Sequence, residues 1–335
     1  MGKKVTLSML ARELGLSESA VSKALNDYPD IGPETKKLVR SKAEELGYSP
    51  NMMARNLAKK TSNFVGVVLR DVNSIYGEMF KALNTVARRH GLNLILYDTN
   101  NDSAIETACV QNLMDSMAMG IVIVPVSEDV DHIRKMTGNR VPVVYLGGKV
   151  RDDAVNYVCS DSAAGTEAAL RHLVERGHRK IVMLCDQKTS GTKSRKVQKY
   201  RELMRSFWQE ERIQYCDAAE CGMAEAGYRL GKQLLKSGMD FTALYAENDL
   251  LAIGAAGALK EAGIKVPERV AVVGYDGMDA AAFQLVGLTT VEQPRMEMAE
   301  KTIGILLRHA EDPDAAPEHY VAKPKLIIRS STALR

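Results

Sequence analysis

The body of the chain alternates short, β-branched apolar runs with longer amphipathic stretches. The runs that read as buried strands are NFVGVVL, LNLILYDT, GIVIVPV, VPVVYLG, RKIVMLC, FTALYAEN and VAVVGYDG. Helical stretches such as EMFKALNTVARRHG and TEAALRHLVERGH lie between many of them. This βαβ alternation predicts parallel sheets that are covered by helices on both faces. Two such sheets would form two similar lobes with a cleft between them.

Length and composition set the broad class of the protein. At 335 residues the chain is too long for one comfortable core, so two or three domains are expected. Its 45% apolar and 26% charged residues are typical of a soluble globular protein. No apolar run reaches the length of a membrane span, and the N-terminus lacks an apolar signal core. We therefore expect a cytoplasmic protein without a membrane partner.

Residues that could carry redox, metal or catalytic chemistry form no recognisable motif. The five cysteines are an odd set without a CxxC pair, and they read as reduced thiols rather than as a metal site or a disulfide framework. They are Cys109, Cys159, Cys185, Cys216 and Cys221. The chain contains no GxGxxG, GxxxxGK[ST], HExxH or GxSxG sequence. We therefore expect neither an enzyme nor a bound cofactor.

Positive charge is concentrated at the start of the chain. Residues 1–60 hold eleven Lys or Arg against seven Asp or Glu, whereas the remainder holds 34 basic and 35 acidic residues. A small basic head on a nearly neutral body suggests that the head alone has a polyanionic partner. A solvated basic terminus is the alternative that charge alone leaves open.

The stretch VTLSMLARELGLSESAVSKALND reads as two short helices joined by a tight turn. The first spans about residues 7–14 with Thr6 as its cap, and Gly15 supplies the left-handed residue that ends it. Ser17 caps the second helix only two residues later. This arrangement is the helix-turn-helix pattern. A third helix begins at Pro33. Its predicted buried face consists of Leu38, Val39, Ala43 and Leu46.

The second helix would turn short polar side chains and one lysine outward. These side chains belong to Glu18, Ser19, Ser22, Lys23 and Asn26. A helix that enters the major groove of DNA needs such groups, because long apolar side chains cannot read base edges and many acids would repel phosphate. Glu18 can accept from a cytosine amine, and Lys23 can donate to guanine or phosphate. The alternative is an ordinary solvated helix face.

Pro50 and Asn51 open a short apolar stretch that runs from Met52 to Ala58. It is too short to be a stable helix alone, but it could form against a second copy of itself or in a DNA groove. Leu57 is the side chain that could act as a wedge between base steps. An ordinary linker is the alternative.

Seven motifs follow one another along the chain. They are VTLSMLARELGLSESAVSKALN, ETKKLVRSKAEELGYSPNMMARNLA, FVGVVL, RHLVERGHRKIVML, YAENDLLAIGAAGALKEAGIKVPERVAVVGYDG, LTTVEQP and LIIRSST. Together they resemble the lactose/galactose repressor family of bacterial regulators over essentially the whole chain. The resemblance implies a helix-turn-helix headpiece (1–49), a hinge helix (50–60) and a two-lobed, periplasmic-binding-protein-like α/β core (61–335). The implied N-lobe is about 61–160 with 292–320, and the implied C-lobe is about 161–291 with 321–335.

The resemblance also implies which residues contact DNA. Glu18, Ser19 and Lys23 match the family's base-contacting places, and Leu57 matches the leucine that enters the minor groove at the operator centre. The candidate DNA-binding residues are Ser17, Glu18, Ser19, Ser22, Lys23, Asn26, Tyr48, Asn51, Arg55 and Leu57. The two-fold symmetry of the expected homodimer implies a near-palindromic operator in double-stranded DNA.

Ligands of parallel sheets bind outside the carboxyl ends of the strands, so polar residues directly after the apolar runs are candidates for a site. These residues are Asp71, Asn73, Ser74, Tyr76, Asp186, Asn248, Asp249 and Asp276. Carboxylates and amides that converge on a cleft suit sugar hydroxyls, whereas turn and cap chemistry is the alternative. The resemblance favours Asn248 and Asp276 as ligand contacts. It also implies that Tyr76 packs on the ligand and, less directly, that Gln293 contributes from the crossover between the lobes.

The chain departs from the family's pattern around residue 196. Lys196, with Arg195 beside it, stands at the place of the family's usual arginine, and Gly222 stands where an aromatic side chain is common. The basic residues of the acid-free segment 188–201 are Lys188, Lys193, Arg195, Lys196, Lys199 and Arg201. Because Lys and Arg at a cleft suit phosphate or carboxylate, one hypothesis is an anionic effector such as a sugar acid or sugar phosphate. A solvated basic helix face is the alternative. The candidate effector-binding residues are Asn73, Tyr76, Arg195, Lys196, Asn248, Asp276 and Gln293.

The sequence thus predicts a homodimeric transcriptional regulator, by default a repressor, whose operator affinity depends on a sugar or sugar derivative in the cleft. DNA and effector must then influence each other's binding reciprocally. Two alternatives stay open, namely a solute-binding protein without a role on DNA and a regulator that activates. The basic head and the missing export signal argue against the solute-binding protein.

Overall fold

The computed structural model describes residues 5–48, 62–138, 140–148, 150, 152–187, 194–207, 209–218, 221–283 and 287–333. The chain divides into two compact units at the boundary between Ser62 and Asn63. The predicted hinge helix, with the DNA-binding candidates Asn51, Arg55 and Leu57, lies outside the described residues.

The first unit contains the predicted helix-turn-helix. Its helices are α1 (Leu7–Leu14), α2 (Glu18–Leu25) and α3 (Pro33–Glu45). The Thr6 hydroxyl accepts from the Met9 N–H, and Gly15 ends α1 with a φ of 65°. The Ser17 hydroxyl accepts from the Ala20 N–H at 3.1 Å, so Ser17 caps α2 as predicted.

A small aliphatic core holds these helices together. It consists of Leu10, Ala11, Val21, Ala24, Val39 and Ala43. The prediction that Leu38 is buried is wrong, because its side chain is 56% exposed. Val39 and Ala43 are four residues apart and form the inner stripe of α3, and Leu38 is turned away from that stripe by about 100°.

The second unit is built of alternating strands and helices. Its helices are α4 (Ile75–Arg89), α5 (Ser103–Asp115), α6 (Asp131–Thr137), α7 (Ser162–Glu175), α8 (Arg195–Ser206), α9 (Met223–Lys236), α10 (Asp249–Glu261), α11 (Asp279–Ala282) and α12 (Arg295–Glu311). Its strands are β1 (Phe64–Leu69), β2 (Asn93–Asp98), β3 (Gly120–Ile123), β4 (Val143–Gly147), β5 (Asn156–Ser160), β6 (Ile181–Asp186), β7 (Ile213–Cys216), β8 (Ala243–Ala246), β9 (Ala271–Asp276), β10 (Thr289–Glu292), β11 (His319–Ala322) and β12 (Lys325–Ile327). Every apolar run predicted as a strand overlaps one of these strands.

The strands form two sheets, one in each lobe. In the N-lobe the order is β11-β5-β4-β3-β1-β2 with parallel pairing throughout. In the C-lobe the order is β12-β10-β9-β8-β6-β7, and only β12 pairs antiparallel within the described strands. The chain passes between the lobes after β5, after β10 and after β11. Because β11 ends at Ala322, the last passage falls slightly beyond the expected boundary at 320.

Helices cover both faces of the N-lobe sheet, as its apolar strands require. Val65 and Val67 of β1 pack in one buried cluster, whereas Val68 packs in a second cluster with Ile121 of β3. This alternation within one strand confirms the parallel α/β fold predicted from the sequence. Within the described ranges, no helix combines the length and the apolarity that a membrane span requires.

Candidate functional site

Helix α2 presents much of its predicted polar face to solvent. Ser17, Glu18 and Ser19 are exposed at its start, while Ser22, Lys23 and Asn26 are half-buried farther along. The Asn26 amide donates to the Ser22 carbonyl at 2.7 Å, so its N–H group serves the end of the helix. Glu18 and Ser19 are therefore the candidates that stand clear of the headpiece core.

Lys23 and Tyr48 are held by contacts within the headpiece. The Lys23 ammonium donates to the Asp30 carboxylate at 2.6 Å, and this hydrogen bond raises the pKa of Lys23. Tyr48 packs against the headpiece core, where burial raises the pKa of its hydroxyl. Lys23 would have to leave Asp30 in order to donate to a base or a phosphate.

A cleft of about 240 Å³ lies in the second unit, outside the carboxyl ends of strands from both sheets. The residues that line it are Arg70, Asp71, Ser74, Ile75, Tyr76, Asn101, Gly147, Gly148, Ser160, Ser162, Ser194, Lys196, Met223, Glu247, Asn248, Leu250, Tyr275, Asp276, Met278 and Gln293. Carboxylates, amides, hydroxyls and aromatic rings thus share one small space, as in sites that bind polar small molecules.

Five of the predicted effector-binding residues line this cleft. They are Tyr76, Lys196, Asn248, Asp276 and Gln293. Asn73 and Arg195, which were also predicted, are exposed and do not line it. The Asn73 N–H donates to the Asp71 carboxylate at 2.8 Å, so Asn73 serves the turn that follows β1. Arg195 begins α8 one residue before Lys196, and a step of about 100° along a helix separates their directions.

Two of the four described basic residues of segment 188–201 are held in ion pairs outside the cleft. Lys199 forms ion pairs with Glu202 at 3.0 Å and with Glu167 at 3.6 Å. Arg201 lies 3.4 Å from Glu211. Lys188 and Lys193 lie outside the described residues. Among the described residues of the segment, Lys196 is the basic residue that lines the cleft.

Asp276 stands at the end of β9 in an unusual backbone conformation, with a φ of 110°. The Gln293 amide donates to its carboxylate at 2.8 Å, and burial raises the pKa of Asp276 to about 6. Arg295 donates to the carbonyl of Gly277, which fixes the loop after β9. A left-handed conformation at a non-glycine residue is uncommon and persists where the surroundings hold it, as at ligand sites.

Asp249 stabilises the loop that follows β9 by hydrogen bonds made outside the cleft lining. Its two carboxylate oxygens accept from the Thr290 hydroxyl at 2.5 Å and from the Met278 N–H at 2.7 Å. Burial, with the neighbouring Asp276 charge, raises the pKa of Asp249 to about 7. Asp249 thus positions the segment that carries Asp276, although it does not line the cleft itself.

Lys196 and Asn248 enter the cleft from the C-lobe. The Lys196 ammonium donates to the Glu247 carbonyl at 2.7 Å and lies 3.4 Å from the centroid of the Tyr275 ring. The Asn248 side-chain oxygen accepts from the Leu251 N–H at 2.8 Å and caps α10. Asn248 therefore combines a helix cap with a place in the lining.

Several lining residues were not among the predicted contacts. They include Arg70, Asn101, Ser160, Ser162 and Tyr275. Arg70 directly follows β1, one residue before the first candidate taken from that strand end. Ser160 and Ser162 flank the end of β5, a strand that was not predicted. The rule of carboxyl ends would have found them if β5 had been recognised.

Comparisons with known proteins agree with this architecture. Residues 170–332 match the family model of the periplasmic binding protein-like domain. The HTH-type transcriptional regulator AscG of Escherichia coli (strain K12) is 30% identical over 333 residues, covering 97% of this chain and 98% of that regulator. The chain belongs to the lactose/galactose repressor (LacI/GalR) family. The HTH-type transcriptional regulator DegA of Bacillus subtilis (strain 168) is 28% identical and is aligned over 98% of both chains.

Solved structures show the same fold. The lac repressor dimer bound to operator and the anti-inducer ONPF has a TM-score of 0.88 at 23% identity, covering 99% of this chain and 100% of that chain. The transcriptional regulator CelR in complex with cellobiose has a TM-score of 0.71 at 25% identity, covering 98% and 99%. The curated relatives are named as HTH-type transcriptional regulators or repressors, so this LacI/GalR chain is a transcriptional regulator with a periplasmic-binding-protein-like domain.

Proposed function

We propose that this LacI/GalR protein is a cytoplasmic, homodimeric repressor that binds a near-palindromic operator. A sugar or sugar derivative in the cleft would change its affinity for that operator. In this proposal residues 1–49 read DNA, residues 50–60 form the hinge helix and residues 61–335 bind effector and dimerise. The combination of an exposed polar α2 with a polar cleft in one chain carries the proposal.

Support for a role on DNA comes from the chemistry of α2. Glu18 and Ser19 are exposed, and their short polar side chains can enter the major groove. The Glu18 carboxylate can accept a hydrogen bond from a base, and the Ser19 hydroxyl can donate or accept one. Each protomer of the dimer would place one α2 in the major groove, so the two half-sites would be related by two-fold symmetry. The hinge helices would pair at the centre, with Leu57 in the minor groove.

Support for a polyhydroxylated effector comes from the mixture of groups in the cleft. Asp276 can accept, Asn248 and Gln293 can donate, and serine hydroxyls can do either. Tyr76 supplies an aromatic face against which a sugar ring can pack. The cellobiose complex of the related regulator CelR is consistent with this class of ligand.

Selection of random duplex DNA by the purified full-length chain tests the role on DNA. We expect enrichment of a palindrome with a deformable central step. Glu18→Ala should relax base preference at one position in each half-site, at a cost of about 1–3 kcal/mol in discrimination. Lys265→Ala, which removes an exposed charge from the second unit, is the matched control and should leave the motif unchanged. A full-length chain that enriches no motif would refute the proposal.

A further inference from the structure

Arg70 places a cation in the cleft that forms no ion pair with a carboxylate of the described residues. The Tyr76 hydroxyl and, from farther away, the charges of Glu247 and Glu106 raise the pKa of its guanidinium. It directly follows β1, and its backbone carbonyl accepts from the Asn101 N–H at 3.0 Å. Its guanidinium donates to the Tyr76 hydroxyl at 2.7 Å and lies 5.3 Å from the centroid of that ring. A guanidinium has five N–H donors, so a single phenol leaves most of its donor capacity unused.

Lys196 brings a second cation to the same cleft from the other lobe. Its ammonium is fixed by the Glu247 carbonyl at 2.7 Å and by the face of Tyr275. Neither contact is an ion pair, because a carbonyl and an aromatic ring carry no net charge. The Lys196 charge acts on the Asp276 carboxylate from farther away and lowers the pKa of that group against the effect of burial. Arg70 comes from the N-lobe and Lys196 from the C-lobe, and both line the cleft of about 240 Å³.

The carboxylates of the cleft are engaged by donors of the protein. Asp71 accepts from the Asn73 N–H at 2.8 Å, and Glu247 accepts from the Asp186 N–H at 2.6 Å. Asp276 accepts from the Gln293 amide at 2.8 Å. Each of these carboxylates thus accepts from a donor of the protein, whereas neither Arg70 nor Lys196 forms an ion pair within the described residues. Such a lining favours a ligand that brings a negatively charged, acceptor-rich group.

We propose that the cleft takes an effector that carries a carboxylate or a phosphate beside its hydroxyls, and that Arg70 and Lys196 bind this anionic group from the two lobes. The proposal rests on the proposed role of the cleft as the effector site. Arg70 is its decisive specificity residue, and most of the described basic residues of segment 188–201 take no part. An anion held by both lobes favours the arrangement in which they lie close together.

The first test uses inorganic phosphate as the probe on the full-length protein. Phosphate should raise the unfolding temperature more than sodium chloride does at equal ionic strength. Arg70→Gln and Lys196→Gln should each weaken the apparent phosphate affinity at least tenfold. Arg70→Lys should retain part of it, because lysine keeps the positive charge but not the guanidinium's several donors. Lys265→Gln is the matched control for a change in surface charge.

Two outcomes of that test overturn the proposal. One is a phosphate effect no larger than that of chloride, and the other is undiminished phosphate binding by a folded Arg70→Gln protein. Circular dichroism and retained binding to random-sequence duplex DNA show that each variant is folded. Enrichment of an operator by a protein that ignores phosphate would leave the regulatory role standing while the anion site falls. Arg70-dependent phosphate binding without operator enrichment would leave the anion site standing while the proposed regulatory role falls.

Calorimetric titrations then distinguish the two sources of negative charge. D-gluconate carries a carboxylate, D-glucose 6-phosphate carries a phosphate, and D-glucose is the neutral control. Arg70-dependent binding of either anion, tighter than that of glucose, supports the proposal and identifies the group. Equal or tighter binding of glucose contradicts it.

Discussion

Replacing Asp276 by Asn should stabilise the folded protein while it damages the cleft. Asp276 is buried at the end of β9, and burial raises the pKa of its carboxyl to about 6 from an ordinary 3.8. Asn keeps the oxygen that accepts from Gln293, and it tolerates the φ of 110° at least as well as Asp does. The substitution therefore removes the buried charge with little other change to the loop.

The magnitude follows from the two pKa values. The raised pKa means that the folded state binds the proton more tightly than the unfolded chain does. The stability associated with the neutral carboxyl is fully present below pH 3.8 and is lost as pH rises through about 6. A difference of about two pKa units corresponds to about 3 kcal/mol. Asp276→Asn should thus be about 3 kcal/mol more stable than the parent chain near pH 8, and the gain should vanish towards pH 4.

Urea unfolding of the full-length protein at a series of pH values measures this gain. Protein concentration must be held fixed, because the proposed dimerisation would make apparent stability depend on it. Asp71→Asn is the matched control, since it makes the same chemical change at a cleft carboxylate that is only half-buried. We expect the control to change the free energy of unfolding by less than about 0.5 kcal/mol.

The dependence on pH decides the matter. A gain that stays the same from acid to alkaline pH would show that removal of the charge is not its cause. Loss of stability at alkaline pH would show that the Asp276 carboxylate stabilises the loop, contrary to the reasoning from its burial. The predicted result would instead mean that the cleft retains a destabilising charge, as binding sites do when a ligand needs it.

Other contacts lead to further predictions. Glu78→Gln should destabilise the second unit by about 2 kcal/mol in urea unfolding, because Glu78 lies 3.0 Å from Arg295 in a largely buried ion pair of the N-lobe; a coupling energy near zero with Arg295→Gln would contradict this. Asp30→Asn should release Lys23, tighten binding to random-sequence duplex DNA and steepen its salt dependence in fluorescence anisotropy, whereas an unchanged slope would exclude the effect. Burial lowers the pKa of His172 below its ordinary 6.5, so the free energy of unfolding should fall as pH drops below that value. His172→Gln should remove this component of the pH dependence measured by unfolding.

Periodicity predicted most of the fold, because most interior strands are apolar runs in their own right. The strand β1 can be predicted from its own sequence, because it contains the buried valines Val65, Val67 and Val68. The strand β5, with the sequence NYVCS, mixes polar and apolar residues. It is recognised as a strand only in the structure, where it pairs with β4 and β11. Short strands of this kind depend on tertiary pairing, which the local sequence does not encode.

The candidate cleft was predictable where a strand end alone determines position. Asn248 and Asp276 stand directly after β8 and at the end of β9, and both line the cleft. Side-chain direction was less accessible, because adjacent residues on a helix point about 100° apart. The sequence shows Arg195 and Lys196 side by side, yet only Lys196 faces the cleft. The sequence did not predict Arg70 as a cleft residue. Its place in the lining depends on its contact with Tyr76 and on the position of the other lobe, and neither can be read from the local sequence.

The cleft is mechanically connected to the segment that joins the lobes. Gln293 lies in the passage after β10 and donates to Asp276, while Arg295, two residues later, binds the Gly277 carbonyl and the Glu78 carboxylate of the N-lobe. A ligand that takes the Asp276 carboxylate competes with Gln293 and so acts on the passage itself. A ligand shifts a conformational equilibrium only through its differential affinity for the two arrangements. The hydrogen bond from Gln293 to Asp276 can supply such a difference in affinity. It connects a cleft carboxylate directly to the segment that joins the lobes, with no other residue between them.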